Sequence, residues 1–318
     1  MLKFMKKVPG GLLLVPMVIS ALINTFFPGL FEIGGLTESL FTGKSSNTLL
    51  ALICFIASTG LRVRDLGKLF KKQGVLLLFK AFLSFLIGFA YLQIFGASGI
   101  LGISALSIII AMTSINPTLY LTLVEDYGTH VDEAAFGLIS LFSVPALPMF
   151  IYGASQGIRI DWMDIVSIII PTAIGILVGN LDNEMYEFTK PGIGIATIFL
   201  GWASGSIIDF KLAFKSLPQG LILAVFLYFI LMPTFIALEK YVLKYNGIVS
   251  VAITSVAGVS IPFAKIIADL IPEAKEYVSS ATSQIVLLVI ITSVLTPYFT
   301  GRRAKKLGIE QKDLKLHV

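Results

Sequence analysis

Charge is scarce in this 318-residue chain: only 14% of residues are Asp, Glu, Lys or Arg, against about 25% in soluble domains. With 56% hydrophobic residues and a mean hydropathy of +0.90, an ordinary soluble globule is excluded. Cysteine is nearly absent. The lone Cys54 permits neither an intramolecular disulfide nor a thiolate metal cluster, and the two histidines, His130 and His317, are too far apart for an HExxH zinc site. No Asp or Glu falls in the middle of a long apolar block, so the usual intramembrane proton carrier is missing. No linker rich in Ser, Pro or Gly and no soluble insert interrupts the chain, which leaves no domain for separate chemistry. The net charge of +5 sits in loops, where Lys and Arg set orientation, and carries no nucleic-acid signal.

What is present is a succession of apolar blocks, each long enough to cross a hydrocarbon core of about 30 Å at about 1.5 Å per residue. Ten segments emerge, at about 10–31, 45–61, 73–93, 99–124, 134–158, 165–181, 192–208, 217–238, 247–270 and 277–299. They are expected to be α-helices, because unpaired backbone groups are too costly in lipid and no period-2 alternation suggests a barrel. The first resembles a secretory signal behind Lys3, Lys6 and Lys7. Its uncharged run from Val8 to Phe31 exceeds the usual apolar core of about 7–15 residues, so it is expected to remain as the first span. An N-terminus inside the cell places 17 Lys and Arg on the cytoplasmic side and 5 outside, which predicts that both termini are cytoplasmic.

A shift of 145 residues superposes Gly102 and Ile103 on Gly247 and Ile248, and Pro117 on Pro262. Five spans per half is an odd number, so two halves sharing one fold insert with opposite orientation: residues 1–158 and 159–300, with 301–318 as a basic cytoplasmic tail. Each proline interrupts its span among small and hydroxyl residues, predicting two broken helices, spans four and nine. One reading is a packed kink capped by neighbouring Ser and Thr. The other is a substrate site, with half-helix N-termini facing an anion and freed carbonyls facing a cation.

On the second reading the candidate substrate ligands are Asn116, Thr118, Ser260 and Lys265, with Thr282, Ser283 and Gln284 on span ten. Sodium coupling would use Thr113, Ser114 and Ser255; proton coupling would fall to carboxylates at helix ends, Glu125, Asp126 and Asp269, with Asp209 a further end-of-helix acid. Each has a plain alternative as a cap, an interhelical contact or a solvated end. Lys80, within span three, either snorkels or functions.

Several strings resemble the 2-keto-3-deoxygluconate permease family over residues 5–303: Lys7-Val8-Pro9-Gly10-Gly11-Leu12-Leu13-Leu14-Val15-Pro16, Gly128-Thr129 with Glu133-Ala134-Ala135-Phe136, Gly179-Asn180-Leu181-Asp182-Asn183-Glu184 with Glu187-Phe188, and Ala281-Thr282-Ser283 with Thr292-Ser293 and Pro297. The resemblance implies a multi-pass carrier of the bacterial cytoplasmic membrane, without cofactor, that imports this sugar-acid monoanion with protons. It also implies kinship to ten-helix carriers related to sodium-coupled bile acid transporters. In those, spans three to five and eight to ten form a moving core, and spans one, two, six and seven a panel. Thr113 and Phe142 stand where the family pattern carries acidic residues, and Asn116-Pro117-Thr118 where it carries Asn-Gly-Gly. Proton and sodium therefore both stay open as coupling ion. A sodium-coupled carrier of another carboxylate is the nearest rival. A membrane-embedded enzyme or a receptor would need intramembrane dyads or a signalling domain. The expected partners are a small anion and the bilayer, with oligomeric state undetermined.

Overall fold

A computed structural model of the chain describes residues 2–7, 11–157, 162–182, 184–208 and 215–310, apart from the side chains of Asp65, Leu66, Lys68, His130, Asp164 and Ile165. Val8, Pro9, Gly10, the half-boundary at 158–159, Asn183, Asp209, Lys211 and the tail beyond 310 lie outside the described residues. The described chain is all-α. Its principal helices are α1 (Gly11–Phe26), α2 (Ser46–Thr59), α3 (Val75–Phe95), α4 (Ala105–Thr113), α5 (Pro117–Tyr127), α6 (Phe136–Leu141), α7 (Ala146–Ser155), α8 (Trp162–Leu181), α9 (Pro191–Gly205), α10 (Leu217–Phe226), α11 (Met232–Ala237), α12 (Ile248–Ala252), α13 (Phe263–Leu270) and α14 (Val278–Lys306).

Among the described residues four helical stretches are long and apolar enough to cross a membrane: Phe70–Phe95, Ala105–Tyr127 around its break, Leu217–Val242 and Pro272–Lys306. Two more qualify as bent pairs, Gly35–Phe41 with Gly43–Thr59 at 69° and Val131–Leu141 with Ala146–Ser155 at 50°. The chain is thus a multi-pass membrane protein. The second bend, at 142–145, was not foreseen. It falls where Phe142 closes α6 and Pro145, unable to donate a backbone hydrogen bond, precedes α7.

Span four breaks over Ser114–Asn116, where the backbone turns extended ahead of Pro117, as the residues before a proline prefer. Pro117 itself is the first residue of α5, where its missing N–H costs nothing. Span nine breaks earlier than its proline suggests. α12 ends at Ala252, the chain turns at Ile253–Thr254 and is extended at Ala257, a 3₁₀ turn spans Gly258–Ser260, and Pro262 caps α13. Both prolines therefore restart helices downstream of the breaks. Gly102 and Gly247 precede the two first halves, and both adopt left-handed φ, 76° and 83°.

Two packing groups stand out. In one, α9 lies against α1 and α2, and α8 against α2. Gly201 and Gly179 allow these close approaches: a Cβ there would stand 2.2 Å from Leu13 O and 2.0 Å from Thr59 O. In the other, α3, α4 and α7 pack together, α14 packs on α4, α10, α12 and α13, and α12 reaches α5 and α11.

Candidate functional site

Because both breaks leave the helix within the same packing group, their orphaned backbone groups are met by serine hydroxyls, largely those of the opposite break. Ser114 Oγ lies 2.7 Å from Ser260 Oγ and accepts from Ala257 N at 2.8 Å. Asn116 N donates to Ser255 Oγ at 3.4 Å, and Ser143 Oγ donates to Ile115 O at 3.0 Å. Ser114, Ser255 and Ser260 are all buried. Three of the sequence-predicted residues thus form one hydroxyl-rich crossover. Asn116 stands beside it, half-buried, its Oδ1 accepting from Leu119 N at 3.1 Å as the cap of α5.

The remaining candidates scatter. Thr113 turns back on its own helix, donating to Ile109 O at 2.8 Å, and Thr118 is exposed on the first turn of α5. Lys265 pairs with Asp269 at 2.6 Å on the surface of α13, so its charge is already compensated by the acid four residues on. Glu125 and Asp126 lie at the far end of α5, exposed and half-buried. Ser283 donates to Ser279 O, while Gln284 Nε2 donates to Gly102 O at 2.8 Å, tying α14 to the turn before α4. Thr282–Gln284 therefore sit at the far end of α4 from the break. The side chains of α14 that reach the crossover lie about 12 Å further along, at about 1.5 Å per residue. Thr292 Oγ1 accepts from Val256 N at 3.1 Å, and Thr296 Oγ1 donates to Thr254 O at 3.0 Å while lying 2.7 Å from Tyr228 Oη. Their spacing of four puts both on one helix face, a signal present in the sequence but outweighed by the polar cluster at 282–284.

Lys80 resolves more sharply. Its side chain is only 3% exposed, and Nζ donates to Ser114 O at 2.8 Å and to Ile253 O at 2.9 Å, one carbonyl from each break. It does not snorkel. A second buried charge group was hidden because its members read as loop residues. Lys72 Nζ meets Asp132 Oδ1 at 2.6 Å and stands 4.0 Å from Glu239 Oε1, while Glu239 Oε2 accepts from Ser250 N and Oγ at the head of α12. Among the described residues no group of three or more His, Cys, Asp or Glu side chains is placed to hold a metal ion. A cation at the breaks would meet carbonyls and hydroxyls.

The sequence profile of the 2-keto-3-deoxygluconate permease family matches residues 2–308. Among similar proteins, 2-keto-3-deoxygluconate permease 1 of Salmonella typhimurium is 33% identical over 305 residues, covering 96% of this chain and 95% of the relative. The 2-keto-3-deoxygluconate permeases of Enterobacter sp. strain 638 and of Escherichia coli O157:H7 are 30% and 28% identical, each covering at least 93% of both chains.

Proposed function

Since the chain belongs to the 2-keto-3-deoxygluconate permease family, we propose that it imports 2-keto-3-deoxygluconate across the bacterial cytoplasmic membrane by cation symport with alternating access. Its role is transport and not catalysis. The observation that carries the substrate is the family match across nearly the whole chain. The site is the crossover of the two breaks, where Asn116 and the start of α5 receive the anion and the polar backbone around Ser114, Ser255 and Ser260 carries the opposing charge.

Ten spans in two inverted halves, with both termini cytoplasmic, make up the carrier. What supports the repeat is the shared pattern at a separation of 145 residues: left-handed Gly102 and Gly247 before each first half, Pro117 and Pro262 at the head of each second half. What supports a core moving against a panel is that α1, α2, α8 and α9 pack chiefly with one another, with smaller contacts to the rest through α6 on α2 and α7 on α8. The coupling ion is a proton, with sodium as the alternative.

The test is uptake of labelled 2-keto-3-deoxygluconate into proteoliposomes under a proton gradient, a sodium gradient or neither. Gradient-driven accumulation is expected, and Asn116→Ala should slow it about tenfold or more through loss of a hydrogen bond to a charged ligand. Asn116→Asp, which keeps the α5 cap, controls for folding. Wild-type rates in Asn116→Ala would remove the crossover from the substrate site, and no uptake by folded protein would remove the substrate.

A further inference from the structure

Among the described residues Lys80 is the one ionisable side chain that hydrogen-bonds to both breaks. Its Nζ bonds the carbonyls of Ser114 and Ile253, which are the residues immediately after α4 and α12. A helix that stops there leaves its last carbonyls without intrahelical donors, and paired carbonyls of this kind are what a transporter offers to a coupling cation. In this chain a covalently tethered ammonium already holds them. A free sodium ion at the same oxygens would sit against a like charge in a buried site.

We propose that Lys80 is the built-in coupling cation of the crossover: the lysine ammonium takes the place of a bound metal ion, and its proton is the one transported with each substrate anion. This rests on the transport reading above. The arithmetic of donors fits. An ammonium has three N–H groups, of which two are used by Ser114 O and Ile253 O, so the neutral amine formed by losing the third still satisfies both carbonyls. In the transfer step the N–H bond breaks with its electron pair staying on Nζ, and the proton passes to water in the open access path. The reverse step reloads the amine on the opposite side. Charge balance follows: ammonium with bound monoanion is neutral, as is the empty amine carrier, so both crossing forms leave the membrane potential unfelt.

The surroundings favour this arrangement. α4, α11 and α12 carry no ionisable side chain, α3 carries only Tyr91 besides Lys80, and α7 only Tyr152. From α11, the Phe235 ring faces Nζ at 5.7 Å. On α5, Tyr120 is turned to Asp132 O, and Glu125, Asp126 and Tyr127 lie at its far end. α14 keeps its basic residues in its last turns. One turn beyond Phe235 the chain carries Glu239, whose carboxylate is held by Ser250. With no ion pair to an acid among the described residues, the ammonium is compensated by two carbonyl dipoles and the face of the Phe235 ring until an anion arrives.

The test uses the full chain in proteoliposomes with labelled 2-keto-3-deoxygluconate. For the wild type, accumulation driven by a pH gradient, unchanged by sodium and by a valinomycin-imposed potential, with one proton entering per anion on an internal pH dye, is the expected result. Lys80→Gln, which retains N–H donors but cannot carry the proton, should lose pH-driven accumulation, and any exchange of internal for external substrate that remains should become sensitive to the membrane potential, since the loaded form then carries the charge of the anion. Accumulation by Lys80→Gln equal to wild type, or wild-type uptake that requires sodium, would overturn the proposal and leave the transport reading intact. Folded wild-type protein that neither accumulates nor exchanges the substrate would overturn the transport reading first. Should Lys80→Gln fail to fold, the wild-type proton count and sodium dependence decide.

Discussion

Lys72, Asp132 and Lys265, Asp269 make the same kind of ion pair at the same distance of 2.6 Å, yet burial gives them different weight. The Lys72 and Asp132 side chains are 7% and 2% exposed, and Asp132 also accepts from Gln73 Nε2 and from Thr129 N and Oγ1. Removing Asp132 would leave the buried Lys72 ammonium with only the more distant Glu239, at 4.0 Å, so Asp132→Ala is expected to cost about 3–5 kcal/mol. Lys265→Ala, in a pair whose side chains are 31% and 41% exposed, is expected to cost about 0–1 kcal/mol. Thermal unfolding of the two variants in detergent checks the ranking, and equal shifts would contradict it. Sequence reading singled out Lys265 and passed over Lys72 and Glu239. Hydropathy marks where a charge lies along a span, whereas the neighbour it meets comes from a segment far away in the chain.

Among the elements, helix breaks and small residues mattered most. The breaks in spans four and nine were legible because a proline within an apolar run has few places to go. Their exact position was not: span nine opens at Ile253–Ala257, five or more residues before Pro262, where Thr292 and Ser114 supply the partners that a non-helical backbone needs. The close approaches of α9 to α1 and of α8 to α2 were equally unreadable, since a glycine in a span looks the same whether or not another backbone lies against it. Gly201→Val places side-chain carbon where Leu13 O stands, and Gly179→Val does the same at Thr59 O. Both should lower the melting temperature of the protein in detergent, while Gly67→Val, whose added Cβ would meet open space, should leave it close to wild type. Unchanged melting in Gly201→Val would refute the packing of α9 on α1.

For the molecule as a whole, transport by relative motion requires contacts between the two packing groups that form in one state and part in another. The 3₁₀ turn Gly258–Ser260 approaches α9, and a Cβ on Gly258 would stand 3.1 Å from the Leu13 side chain on α1. In a Cys54→Ser background, the pair Leu13→Cys and Gly258→Cys should crosslink under oxidation and stop uptake, with reductant restoring it. Uptake that persists in the fully crosslinked protein would show that these groups do not separate during the cycle.

Composition and spacing alone were sufficient for an all-α membrane protein and for the two broken spans, because lipid admits few backbone solutions and long apolar runs report them directly, while the family was legible only through the resemblance of particular strings. Folding decided which polar side chains converge. Ser114, Ser260, Thr292 and Lys80 come from four separate helical stretches, and only packing shows that the ammonium of Lys80 closes on the carbonyls of Ser114 and Ile253, because hydrogen bonds across 34 and 173 residues of chain leave no local trace.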